Sequence, residues 1–293
     1  MNNPLTLSYS ELENTELIKK SLDGDRHALD ALIKLHQSFI YNVAWKMAYD
    51  ENDAMDLTQE VLIKAITKLA LFKGKSSFRT WLYRIITNQF LQTKRREKEN
   101  EFPSFSNLDE RLNAVPDGQL TPDEEIEHKE YTKEINVRCM SGMLMCLSRE
   151  QRLIYVLGEM FEIDHNVGSE IFEISKQNYR KKLSRARTEL HNFMEFRCGL
   201  VNTKNSCRCQ KKAKTLKEKG ILTKDNFVFN VGYKNKIAEY VETTYAKRKD
   251  VVDEKYVDFY RNHPAKQEFG AETVISEIVN DKELQKLFSL KKD

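Results

Sequence analysis

The sequence is short of the features that mark membrane proteins, secreted proteins and turn-rich β-proteins. It has no apolar run of about 18 residues, the length that a membrane-spanning helix needs. Its N-terminus has no basic stretch followed by an apolar one, so we predict no secretory signal. The 293 residues include 10 Gly and 5 Pro, which favours long helices over a β-sandwich. These shortages predict an all-α, cytoplasmic protein without membrane insertion.

Cysteine is scarce and odd in number, which argues against a disulfide framework. The chain has 5 Cys and no export signal, so we expect reduced thiols. Cys198, Cys207 and Cys209 lie in a basic segment, residues 198–220, with the spacing C-x8-C-x-C. His191 would complete a set of four zinc ligands, but the spacing lacks the common C-x2-C pair. We predict no cofactor, and a zinc site, ordinary thiols and a redox sensor stay open as alternatives.

Acidic residues are missing from one stretch of an otherwise balanced chain. The formal net charge is +3, yet the stretch from Lys73 to Arg96 holds seven Lys/Arg and no Asp or Glu. Phe78, Trp81 and Tyr83 are interleaved with these cations. Cations bind a phosphate backbone and flat rings stack on unpaired bases, so the stretch predicts a nucleic-acid grip.

The segment before this stretch is predicted to be an amphipathic helix, residues 53–70. Apolar residues form one stripe, and a polar face carrying Asp53, Asp56, Gln59 and Glu60 lies away from it. Two interpretations stay open. The polar face is either an ordinary solvated face, favoured by acids near the helix N-terminus, or a docking surface for a partner protein.

Residues 101–132 are acidic and have little apolar periodicity. The stretch from Glu101 to Glu130 has nine Asp/Glu against two Lys/Arg and contains three Pro. This composition predicts a flexible acidic linker between two basic domains. We also hypothesise that its acids shield those domains from premature DNA binding.

Residues 133–197 are predicted to end in a helix-turn-helix. A turn at Glu173–Ser175 precedes a helix with six Lys/Arg and no acid until Glu189. Polar residues at the start of that helix stand where base edges are usually contacted. Residues 221–293, which begin with a short predicted strand at 226–231, are predicted to form a helical C-terminal module.

Several strings in the chain resemble a known family. DAMDLTQEVLIKA, FKGKSSFRTWLYRI and TNQFLQTKRR, within residues 10–100, resemble region two of bacterial RNA polymerase sigma factors of the extracytoplasmic-function (ECF) group. LSREQRLIYVL and EISKQNYRKKLSRARTEL, within residues 133–197, resemble region four. The resemblance implies a sigma factor, not an enzyme, that binds core RNA polymerase and promoter DNA and directs promoter recognition and melting. It also implies an anti-sigma protein as a candidate partner.

The resemblance also implies which residues act. Core polymerase would dock on Asp53, Asp56, Gln59 and Glu60. The melted minus-ten element would meet Lys73, Lys75, Phe78, Arg79, Trp81, Arg84, Asn88, Gln92, Lys94, Arg95 and Arg96. The minus-thirty-five element would meet Ser175, Lys176, Gln177, Asn178, Arg180, Lys181, Lys182, Arg185 and Arg187.

The chain departs from the family pattern at two positions in region four. Glu173 stands where the turn usually carries Gly, which predicts a cost of about 1 kcal/mol if the turn is left-handed. Gly168 stands where an apolar helix residue is usual. These departures predict a less stable region four or a differently built turn.

Two other function classes are weighed against the sigma factor. The first is a helix-turn-helix regulator that binds DNA without joining polymerase. The second is a thiol- or metal-dependent enzyme in the C-terminal part, which has no paired nucleophile and base at a telling spacing.

Overall fold

The computed structural model describes residues 10–48, 50–93, 101, 103–224 and 227. These residues contain eleven α-helices and no strand, which confirms the all-α prediction for the described part. They fall into two compact units. The first holds α1 (Glu11–Leu22), α2 (Arg26–Ala48), α3 (Glu51–Thr67) and α4 (Phe78–Gln92). The remaining helices, which make up most of the second unit, are α5 (Phe105–Ala114), α6 (Pro122–Glu127), α7 (Lys129–Cys146), α8 (Arg149–Tyr155), α9 (His165–Ile171), α10 (Lys176–Arg197) and α11 (Cys209–Glu218).

Side-chain caps decide where the helices of the first unit begin. Asp50 accepts hydrogen bonds from the backbone N–H groups of Asn52 and Asp53, at 3.0 and 3.2 Å. Ser77 accepts one from the N–H of Thr80 at 3.0 Å. Each bond satisfies a donor that the helix itself leaves unpaired. Helices α3 and α4 therefore both start at positions that the sequence encodes.

The long helix α2 is the centre of the first unit. Ile40, Val43 and Met47 are fully buried, and α2 packs against α1, α3 and α4. The Phe39 ring meets the Tyr83 ring of α4 edge-on, with centroids 4.6 Å apart. Trp45 is also buried, so this aromatic residue belongs to the core. Burial of this stripe supplies the main stabilisation of the unit.

The second unit is built around α8 and α10. Leu153, Ile154 and Tyr155 of α8 are fully buried, and a single π-helical turn, Val156–Met160, follows α8. Tyr179 and Leu190 of α10 are fully buried against this group. Both helices begin at a serine cap: Ser148 accepts from the N–H of Gln151, and Ser175 from the N–H of Asn178.

Residues 101–132 do not form the flexible linker that we expected. They contain α5, α6 and the first turn of α7. Pro122 takes the first position of α6, where a missing N–H costs nothing, and Thr121 and Glu124 form a capping box. The expectation failed because this stretch has few apolar residues, and its folded partners are ionic and lie about 90 residues further along the chain.

Other predictions fall outside the described residues. The predicted strand at 226–231 and nearly all of the C-terminal module at 221–293 belong to this group. Of the helices in the part of the chain that the structure describes, none is long and apolar enough to cross a bilayer.

Candidate nucleic-acid and partner-binding surfaces

The polar face of α3 lies opposite the core-facing stripe of that helix. Ala54, Leu57 and Val61 are buried, while Asp56 is exposed and Asp53, Gln59 and Glu60 are partly exposed. The carboxylate of Glu60 accepts a hydrogen bond from Nε2 of Gln89 on α4, at 2.5 Å. The face that we predicted for docking therefore exists as one surface, and Glu60 also ties it to α4.

The loop between α3 and α4 turns at Gly74. This glycine has a φ of 66°, a left-handed conformation that side chains with a Cβ seldom adopt. Lys73 and Lys75 on either side are exposed, and Nζ of Lys73 donates to the carbonyl of Ala70 at 3.1 Å. The turn places both ammonium groups at the surface beside the start of α4.

Three aromatic rings pack together at the loop and the start of α4: Phe72, Phe78 and Trp81. The Phe78 ring stacks on the Trp81 ring with centroids 5.4 Å apart, and Phe72 meets both rings. Phe78 is 2% exposed, whereas Trp81 is partly exposed. The prediction that Phe78 contacts DNA is therefore wrong, because its ring is buried under Trp81. Of the two rings, Trp81 is the one that can still stack on a base.

Arg79 lies over the core rather than pointing freely outward. Its guanidinium is 5.2 Å from the centroid of the Phe39 ring. Burial, and then the charge of Arg79, lower the pKa of His36 to about 3. The neutral imidazole of His36 is paired through Nε2 with Oδ1 of Asn14 at 2.7 Å. Arg79 therefore has a role within the first unit in addition to the predicted DNA contact.

The outer face of α4 presents the predicted polar side chains. Arg84 is partly exposed and pairs with Glu170, with Nη2 2.6 Å from Oε1, and Asn88 and Gln92 are exposed one and two turns further along the helix. This i, i+4 spacing puts the three side chains in one row. Lys94, Arg95 and Arg96 lie outside the described residues.

The sequence reasoning missed the part that α1 plays beside the loop. A groove runs between α1 and residues 72–77, with Glu11, Thr15 and Lys19 of α1 on one side and Lys73 and Ser76 on the other. The N–H of Phe78 also donates to the carboxylate of Glu11 at 3.4 Å. The polar spacing of α1 was visible in the sequence, but only the fold brings that helix to the loop.

The turn before α10 is left-handed, as the resemblance implied. Glu173 has a φ of 54°. Gly168 lies against the buried ring of Tyr179, and a Cβ at this position would be 2.3 Å from the ring. Burial and then the carboxylate of Glu159 raise the pKa of Tyr179. The two departures from the family pattern thus have different reasons, since Glu173 occupies a strained backbone position and Gly168 makes room for a large ring.

The predicted minus-thirty-five residues divide into an exposed set and a paired set. The exposed residues are Ser175, Lys176, Gln177, Asn178, Arg180, Lys181 and Arg185. Nζ of Lys182 is 2.6 Å from the carboxylate of Glu150, and Arg187 pairs with Glu159. These pairs hold α10 against α8 and the π-helical turn, and a DNA contact by Lys182 and Arg187 stays a prediction.

The cysteines meet in a different combination from the one predicted. The backbones of Cys198 and Cys207 form an isolated parallel β-bridge, and no disulfide joins the two residues. Burial, and then the neighbouring thiols of Cys198 and Cys207, raise the pKa of Cys139 well above its usual range. His191 packs edge-on against Tyr155, with 6.4 Å between the ring centroids. Within the described ranges, no three His, Cys, Asp or Glu side chains are arranged to hold a metal.

Comparisons with known proteins show which proteins the chain is similar to. Residues 32–100 match the family described as sigma-70 region 2. The chain is 28% identical over 169 residues to the RNA polymerase sigma factor YlaC of Bacillus subtilis, covering 58% of this chain and 93% of that protein. It is 26% identical over 178 residues to the ECF RNA polymerase sigma factor SigW of the same organism, covering 59% and 92%.

A third relative, the ECF RNA polymerase sigma-E factor of Haemophilus influenzae, is 25% identical over 188 residues, covering 63% of this chain and 97% of that protein. These relatives are matched over nearly their whole length, while a large part of this chain has no counterpart in them. The region-two match and these relatives together lead to one conclusion: the chain carries a sigma-70 region 2 and is similar to ECF RNA polymerase sigma factors over nearly their whole length.

Proposed function

We propose that this sigma factor docks on core RNA polymerase through the polar face of α3. The face is separated from the DNA-binding candidates by the turn at Gly74, so one unit can bind protein and nucleic acid at once. This division of the first unit is the observation that carries the proposal. Like other initiation factors, the protein would regulate transcription rather than catalyse a reaction, and would act in the cytoplasm with the polymerase.

The loop of residues 72–77 and the outer face of α4 would capture the melted minus-ten strand. Lys73 and Lys75 are exposed to meet phosphates, and Trp81 has a partly exposed ring backed by Phe78. Separating a base step costs on the order of 1–2 kcal/mol, and stacking on an aromatic ring returns about 1–3 kcal/mol. A gain this small is enough only when polymerase holds the protein at the DNA. The groove beside α1 is a candidate receptor for a displaced base.

The start of α10 would read the minus-thirty-five element in the major groove. Gln177 and Asn178 are exposed and carry amides that can pair with base edges. Arg180, Lys181 and Arg185 are exposed on the same helix and can contact phosphates. A helix-turn-helix regulator would need only this unit, and the region-two match over residues 32–100 favours the sigma factor over that alternative. An anti-sigma protein that covers the α3 face would fit the same surfaces.

Co-purification with core polymerase, followed by transcription and start-site mapping, tests the proposal. We expect the factor to bind core enzyme and to direct initiation at defined sites. Failure to bind core enzyme, combined with sequence-specific DNA binding, would favour the regulator instead.

A Trp81→Ala variant tests the proposed strand capture. Loss of one stacking platform should lower promoter opening by about tenfold and leave core binding unchanged. Leu91→Ala, at another exposed position of α4, is the matched control. Equal loss of opening and of core binding would mean that the unit had collapsed.

A further inference from the structure

The acidic segment, residues 101–130, is paired with basic residues from the C-terminal side of the chain. Lys212 pairs with Asp117 at 3.0 Å, Lys214 with Glu124 at 2.6 Å, and Lys217 with Glu127 at 2.9 Å. The pairs run in the same order along both segments. Arg197 with Asp109 and Lys224 with Glu130 extend the row at its two ends.

Backbone contacts make this contact specific in shape as well as in charge. Oγ1 of Thr215 donates to the carbonyl of Pro116 at 2.9 Å, and Nζ of Lys214 donates to that of Gln119 at 2.6 Å. Gly118 approaches α11 closely, since a Cβ at this position would be 3.2 Å from Oγ1 of Thr215. Non-specific attraction between opposite charges would not require such close backbone contacts.

The basic partner is itself a folded element. Cys209 and Ala213 of α11 are buried, and α11 packs against α7. Gly199 allows the chain to pass close to itself, because a Cβ there would be 2.2 Å from the carbonyl of Cys207. The Arg208 guanidinium donates to the carbonyl of Thr203 at 2.8 Å, which closes the loop before α11. Residues 197–224 therefore fix the position of α11 as a folded basic surface.

The acidic helices depend on this surface. None of the residues of α6 is buried, and a helix of six residues is not stable alone. In α5 only Leu108 is buried, and Phe105 packs on Phe193 of α10 with ring centroids 5.1 Å apart. Each ion pair near the protein surface is weak by itself, so the row holds the acidic segment only as a set, and single pairs can be exchanged one at a time.

We propose that residues 197–224 act as a clamp that holds the acidic segment closed, and that the clamp must open for both units to grip one promoter. The proposal rests on the proposed function. Between Gln92 and Phe105 the connection has about 12 residues and spans at most about 40 Å. Elements about 25 base pairs apart lie roughly 85 Å apart on DNA. Subtracting a unit diameter of about 30 Å leaves about 55 Å to be bridged.

Release of the acidic segment up to α7 supplies the missing length. The connection would then have about 36 residues and could extend beyond 100 Å. The carboxylates freed from α11 would at the same time be available to cations on the polymerase. A closed clamp therefore opposes promoter engagement by the free energy of its contacts with the acidic segment.

Distance measurements between two labels test the proposal on the full chain. Spin labels attached through non-cysteine residues at Glu125 and Lys219, both exposed, report whether α6 lies on α11. We expect a short distance in the free factor and one more than about 20 Å longer in the complex with polymerase and promoter, on the length argument above. A short distance in a complex that transcribes would overturn the clamp. Absence of any complex would instead count against the proposed function.

Charge reversal of the paired residues provides a second, independent test of the clamp. Arg197→Glu with Lys214→Glu and Lys217→Glu should raise promoter occupancy several-fold at limiting factor. Adding Asp109→Lys, Glu124→Lys and Glu127→Lys should restore the original occupancy by re-forming the pairs. If the first variant remains folded and its occupancy does not rise, the clamp does not oppose promoter binding.

Discussion

Two basic segments of this protein are similar in composition and differ in what their charges meet. Lys73 and Lys75, in the loop before α4, are exposed beside a partly exposed aromatic ring. Helix α11 carries three lysines that each pair with a carboxylate of the acidic segment: Lys212, Lys214 and Lys217. Basic composition therefore does not predict nucleic-acid binding by itself, because acids that are distant in sequence decide whether a cation is available.

The same division runs through the single helix α10. Arg180, Lys181 and Arg185 face solvent, whereas Lys182 and Arg187 pair with Glu150 and Glu159. Cations one or two residues apart thus have different tasks, since neighbouring positions on a helix face different directions. The following experiments contrast the first unit with the second, and exposed charge with paired charge.

The largest expected effect is a pH dependence of the folding stability that arises in the first unit. The pKa of buried His36 is about 3 in the folded protein, below its usual value of 6.5. The unfolded chain therefore takes up this proton first, and stability is lost as pH falls from 6.5 towards 3. Between pH 7 and pH 4.5 the loss should be about 2–3 kcal/mol in denaturant unfolding.

A His36→Gln variant should remove this part of the dependence, and the difference between the two proteins is the measurement. In the second unit, a hydrogen bond from Lys214 helps to lower the pKa of Glu124 to about 2, so that pair keeps its charge at pH 4.5. An equal acid dependence in both proteins would contradict the assignment to His36.

Charge reversal of the two basic segments should give opposite results for promoter opening. Lys73→Glu with Lys75→Glu should lower opening by at least about tenfold, because two exposed phosphate contacts become repulsive. Lys214→Glu with Lys217→Glu, an equal change of charge, should not lower it. Transcription assays at one salt concentration compare the pair, and equal losses would mean that only net charge matters.

Gly168→Ala should destabilise the second unit by about 1–3 kcal/mol, because the added methyl meets the Tyr179 ring. Thermal unfolding measures the loss. Adding Tyr179→Leu, which opens space at the same point, should recover part of it. An unchanged melting temperature for Gly168→Ala alone would show that the ring can move aside.

The smallest effect is expected from Glu173→Gly, which should stabilise the protein by about 1 kcal/mol, since glycine adopts a positive φ without strain. Glu162 has the same φ of 54°, so Glu162→Gly should behave alike. Glu170→Gly, within α9, is the opposite control and should cost about 1 kcal/mol for glycine in a helix, to which the loss of the pair with Arg84 adds.

The parts of the site that were predictable from the sequence depend on local rules. Apolar periodicity predicted α3, and the turn at Glu173–Ser175 with the basic run after it predicted α10. The polar face of α3 and the row of Arg84, Asn88 and Gln92 followed from helical spacing. All of these features are set by residues within a few positions of one another.

The failed predictions concern contacts between distant residues. Phe78 was expected at the DNA because it stands between cations, but packing with Phe72 and Trp81 buries it. Helix α1 was not recognised as a wall of the groove beside the loop.

The sequence by itself determined the helical class, the helix starts, the resemblance to the family and the two surfaces that we propose for polymerase and DNA. Only the tertiary structure decided that the acidic stretch is folded and that the basic extension is its partner. The physical reason is that periodicity and caps act within one turn, whereas ion pairs between residues about 90 positions apart form only after both segments have been placed.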